Sequence, residues 1–115
     1  MSVFNKQIDI TRNIKWIEWI KGELLSEIAD LFKTMAKGIK ENTSEVLTDI
    51  VANIIILCYI LGRRLGVDYQ AIDLKVESKL RLSLIEGHEL EEAFGDLSAL
   101  SKHMNGSRNM VQRRL

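Results

Sequence analysis

The chain has 115 residues, sixteen basic and sixteen acidic, with a formal net charge of zero, no proline and a single cysteine. The length fits one domain, the neutral balance argues against nucleic acid as the main partner, and one cysteine excludes an internal disulfide and fits a reducing, cytoplasmic setting. With 46% hydrophobic residues, 28% charged residues and only seven glycines, the composition favours long uninterrupted helices and an all-α bundle of about four helices.

The N-terminal stretch MSVFNKQIDI carries no secretory apolar core. A first helix is predicted over about residues 11–37, with Gly38 near its end. Ile17, Ile20, Leu24, Ile28, Leu31 and Met35 recur at helical spacing, and no strand alternation competes with them. The segment KENTSE is then a loop. Asn42 or Thr43 is placed to cap a second helix, and Glu45 stands three residues after Asn42, where a capping box carries an acid.

The second helix is predicted to run to about residue 65, with Arg63 and Arg64 at its negative end and Gly66 as terminator. Its apolar run, residues 50–61, is shorter than the roughly 20 residues a bilayer demands. It reads as a helix buried on most sides, with Cys58 a small buried hydrophobe. So small a domain has too little surface to cover such a helix alone, and a partner subunit is expected.

Asp68 is the predicted N-cap of a third helix, YQAIDLKVESKLRL. EGHE breaks the pattern, and a fourth helix over about residues 89–103 carries Leu90, Phe94, Leu97 and Leu100. Residues 1–104 thus form one helical domain. The tail of residues 105–115, NGSRNMVQRRL, is polar and basic and is expected to fray. Its Arg108, Arg113 and Arg114 make it a candidate contact for an anionic partner, though basic ends are often bystanders.

Two acidic stripes carry the candidate chemistry. At about 100° per residue, Glu23, Glu27 and Asp30 fall within an arc of roughly 60° beside the apolar stripe of the first helix, with Trp16 and Thr34 in the same arc. On the second helix Glu45, Asp49 and Asn53 are each four residues apart and share one face. Packed antiparallel, the two helices can turn these stripes toward each other. Like charges so placed oppose association unless a cation joins them, and hard divalent ions with oxygen ligands and retained waters suit such a cluster. The plainer reading is that helical acids border the apolar face and are solvated, with Asp49 serving the helix dipole. Asn53 stands where the pattern wants an apolar residue, and a buried amide needs partners.

The segments ELLSEIADLFKTM and SEVLTDIVANIIILCYILGRRLGVDYQAIDLKVESKLRL resemble the MazG-like group of the all-α nucleoside triphosphate pyrophosphatase superfamily. The resemblance covers about residues 14–82, and its individual motifs are short. It implies an all-α bundle completed by dimerisation, a homodimer or homotetramer, and Mg2+-dependent cleavage of a nucleoside triphosphate to the monophosphate and pyrophosphate, with Mn2+ as a substitute ion. That group carries E-E-x-x-E on its first helix and E-x-x-D on its second. The likeness implies that Glu27, Asp30 and Asp49 are the catalytic metal ligands, with Asp30 in place of Glu. Ser26 and Val46 stand where the motifs carry Glu, and Glu23 and Glu45 are the nearby substitutes. Asn53, Lys75 and Lys79 become substrate contacts, the lysines toward phosphate.

Trp16 and Trp19 sit near the acidic stripe; Trp16 is a candidate surface for a base, and both are equally ordinary as packing aromatics. His88 and His103 lack metal-ligand spacing and read as surface residues. The alternative to an enzyme is a weak or inactive helical dimer that binds nucleotide or another protein. Neither membrane nor nucleic acid is expected as a partner.

Overall fold

A computed structural model describes the backbone of residues 3–38 and 42–114 and the side chains of residues 11–38 and 42–106. Among the described residues there are five helices and no strand: α1 (Val3–Ala36), α2 (Thr43–Arg64), α3 (Tyr69–Glu86), α4 (Glu89–Phe94) and α5 (Asp96–Arg114). The all-α expectation therefore holds. The chain divides into two compact units, Met1–Tyr69 and Gln70–Leu115.

In the first unit α1 and α2 form an antiparallel hairpin. The direction follows from two cross-helix contacts: Asn13 Nδ2 donates to the Arg64 carbonyl at 2.8 Å, and Asn53 Nδ2 donates to Glu27 Oε2 at 3.4 Å. One sequence number rises as the other falls. Ile20, only 2% exposed, and Ile50 are the buried residues of this unit among those described. The helix pair is thin, so most of its apolar residues keep solvent contact on the faces turned away from the partner helix. Val51, Ile55, Ile56 and Cys58 are all exposed. Within a single chain Cys58 is exposed, not the small buried residue expected. An apolar run shows that a helix has greasy faces, not which of them is covered.

The helix bounds also differ from the sequence reading. α1 begins at Val3 rather than near residue 11, because residues 3–10 contain neither glycine nor proline and nothing interrupts propagation. Asn42 occupies the N-cap position of α2, but its side chain makes no cap bond; its carbonyl accepts from Val46 N–H. The expected loop residues 39–41 lie outside the described residues.

Gly66 ends α2 as predicted, with φ at +91°. Its N–H donates to the Arg63 carbonyl and that of Val67 to the Gly62 carbonyl, the pairing of a Schellman stop that only a left-handed residue closes comfortably. Just beyond, the Arg63 guanidinium pairs with the Asp68 carboxylate, and Tyr59 meets Tyr69 edge to face at 6.0 Å. α2 is continuous over 22 residues with mean hydropathy 1.9 across its most apolar stretch. It is therefore long and apolar enough to cross a membrane by length and composition, whereas the run counted from sequence was too short.

In the second unit, the helix predicted over residues 89–103 is two helices, broken at Gly95 with φ at +70°. Residues 105–114, expected to fray, continue α5. The side chains of Arg108, Arg113 and Arg114 lie outside the described residues. His88 is the N-cap of α4: its Nδ1 accepts from Leu90 N–H at 3.0 Å. At the α4–α5 corner the Glu91 carboxylate accepts from both the N–H and the hydroxyl of Ser98 in the first turn of α5, the N–H at 2.9 Å. A side chain of one helix thus satisfies an orphan donor of the next.

Candidate metal and nucleotide site

The α1–α2 hairpin sets the register of the two acidic stripes. Glu27 is half-buried on α1, and its carboxylate meets the half-buried amide of Asn53 on α2. At 3.4 Å this hydrogen bond is long and weak. One turn along α1, Asp30 is exposed, while the Thr34 hydroxyl donates to the Asp30 backbone carbonyl at 2.8 Å. Glu23 is exposed one turn the other way. On α2, Glu45 and Asp49 are exposed and line an open cleft of about 640 Å³ with Val46, Thr48 and Ala52.

The hairpin therefore brings Glu27 to Asn53 and puts Glu45 with Asp49 on one cleft. It does not draw the acids together further. Among the described residues, no group of three or more His, Cys, Asp or Glu side chains is placed to hold a metal ion. Carboxylates of like charge separate when nothing positive lies between them, and exposed ones lose little by turning to water. The donor types nevertheless fit a hard divalent cation, which takes oxygen ligands and keeps several waters.

Ser26 is exposed on α1. Val46 lines the α2 cleft with Glu45 and Asp49, so the position where a Glu was expected carries an apolar side chain. Trp16 and Trp19 are each about half exposed and meet edge to face at 5.5 Å. Lys75 and Lys79 are exposed on α3 in the second unit. His88 turns out to be structural, and its signal was legible: a polar residue two positions before Leu90 at the start of an acidic helix.

The sequence model of the MazG-like family matches residues 10–97, which is most of the chain and spans both acidic stripes, the Gly66 stop and α3. The chain belongs to the MazG-like family. No curated protein and no solved structure matches it. For a MazG-like chain the fold is thus of the nucleotide pyrophosphatase type.

Proposed function

We propose that this MazG-like chain is a Mg2+-dependent nucleotide pyrophosphohydrolase: a nucleoside triphosphate and water give the monophosphate and pyrophosphate. The observation that carries the reading is the Glu27–Asn53 contact, which registers the acids of α1 against those of α2. Glu27, Asp30 and Asp49 would hold the cation, with Glu23 and Glu45 as neighbouring donors; Mn2+ fits the same oxygen set. Bound there, the ion supplies neutralisation of phosphate charge and a more acidic water. The protein's own part is placement. Asn53 holds one oxygen of Glu27. Trp16 offers an aromatic edge for the base. No protein nucleophile is required.

A second reading, a helical module that binds nucleotide or protein without turnover, is favoured by the loss of glutamate at Ser26 and Val46 and by the ungathered acids. A pyrophosphate-release screen over ordinary and damaged triphosphates, with Mg2+ or Mn2+, separates the two. Release that disappears in Asp49→Asn supports the enzyme. Silence across the whole panel, with nucleotide binding retained by calorimetry, supports the module.

A further inference from the structure

We infer, on the nucleotide reading of the site, that Lys33 and Lys37 at the loop end of α1 hold the terminal phosphate of the substrate, so that the hairpin selects triphosphates over shorter phosphate chains. At about 100° per residue, Trp16, Glu23, Asp30 and Lys37 fall within an arc of roughly 60° on α1, and Lys33 lies about 40° outside it. Lys37 stands just past the last residue of the helix, yet its N–H donates to the Lys33 carbonyl at 3.2 Å, so it keeps the helical register. Along the axis the order is aromatic pair, acids, lysines. Lys33 comes about 4.5 Å and Lys37 about 10 Å beyond Asp30. A nucleotide with its base at Trp16 and its first phosphates over Glu27 and Asp30 runs toward these two ammonium groups.

Folding leaves both lysines available. Each is exposed. Lys21, on another face of the same helix, pairs with Glu18 at 3.1 Å. Among the described residues neither Lys33 nor Lys37 has a carboxylate partner, although Asp30 stands one turn from Lys33. The two lysines are four residues apart, where like charges repel and cost helix stability. The helix dipole accounts for a cation in the last turn of α1, but not for a lysine pair bordering the acidic stripe. A terminal phosphate supplies the negative charge that this pair lacks. Lysine meets phosphate as a point charge with three donors, and neighbouring ammonium groups can share its oxygens. A diphosphate seated on the same tryptophan and acids ends one phosphate earlier and loses that contact.

The test is calorimetric binding of α,β-methylene nucleoside triphosphates and diphosphates, which cannot be cut between the first two phosphates, to the full chain with Mg2+ at fixed ionic strength. The natural chain is expected to bind the triphosphate of its preferred base about tenfold more tightly than the diphosphate, the effect of one charge-assisted contact. Lys33→Gln with Lys37→Gln is expected to remove that preference and leave diphosphate affinity unchanged. Lys33→Arg with Lys37→Arg, and separately Lys21→Gln, are expected to keep it. A preference that survives Lys33→Gln with Lys37→Gln overturns the proposal, as does an equal loss of affinity for both chain lengths. So does a preference lost instead in Lys75→Gln with Lys79→Gln, or no binding of any analogue. Turnover is read separately by pyrophosphate release. Silence there with the tenfold preference intact removes the enzyme and keeps the phosphate contact; release whose KM is indifferent to Lys33→Gln with Lys37→Gln keeps the enzyme and removes the contact.

Discussion

The amide of Asn53 on α2 donates to the carboxylate of Glu27 on α1, and this pairing links the two acidic stripes side chain to side chain. Both residues are half-buried, so the amide is partly withdrawn from water and its bond matters despite the 3.4 Å length. Asn53→Ala is expected to lower stability by about 1 kcal/mol without metal, read from urea unfolding. Asn53→Leu, which restores apolar contact in a helix rich in it, is expected to cost less than Asn53→Ala. The reverse order would show that the hydrogen bond, not packing, governs the site.

A cation held between the stripes must stabilise the fold, because the unfolded chain does not bring Glu27, Asp30 and Asp49 together. Free Mg2+ at about 100 times its dissociation constant adds about 2.7 kcal/mol by linkage. The melting temperature is expected to rise with Mg2+, and Asp49→Asn or Glu27→Gln to remove the rise. Calorimetric scans against Mg2+ at constant ionic strength check this; identical curves for natural and substituted chains would dismiss those ligands.

The helices were legible where chemistry forces a start or a stop. Gly66 is the clearest case, since a left-handed residue after Arg63 and Arg64 has few other uses. The break at Gly95 was hidden because Leu90, Phe94, Leu97 and Leu100 keep helical spacing straight through it. The start of α1 was set too late because residues 3–10 have no strong apolar stripe, yet nothing in them breaks a helix. Within a single chain Cys58 was misplaced because spacing alone cannot tell the covered face of a thin hairpin from its open one. The acidic stripes themselves follow from helical periodicity. Whether their oxygens converge depends on side-chain torsions and charge, which periodicity does not encode.

The packing of the first unit gives a sharp contrast along α1. Ile20 is 2% exposed, whereas Leu25 is 69% exposed. Ile20→Ala removes buried methyl and methylene groups and leaves a cavity, with an expected loss of about 3 kcal/mol. Leu25→Ala is expected to change stability by no more than about 0.5 kcal/mol. Urea unfolding of both variants measures the difference; equal losses would mean that the hairpin does not pack through Ile20.

The α4–α5 corner is expected to loosen in acid. The Ser98 hydroxyl, then the Ser98 N–H, hold the Glu91 carboxyl below the ordinary glutamate range, against a smaller opposing effect of desolvation. A carboxyl whose pKa is depressed by folding stabilises the fold above its unfolded value, about 4.3, and that contribution is lost as pH falls through the lower folded value. Protonation weakens the carboxylate as an acceptor, and the Ser98 N–H at the start of α5 is left poorly satisfied. Hydrogen exchange at the Ser98 amide, corrected for the intrinsic pH dependence, should therefore lose protection below pH 4. In Glu91→Gln, which keeps an acceptor but no titrating proton, protection should be lower at neutral pH and flat through the acid range. A natural chain that keeps full Ser98 protection to pH 2 would show that the corner is held by its backbone turn at Gly95 and not by the carboxylate.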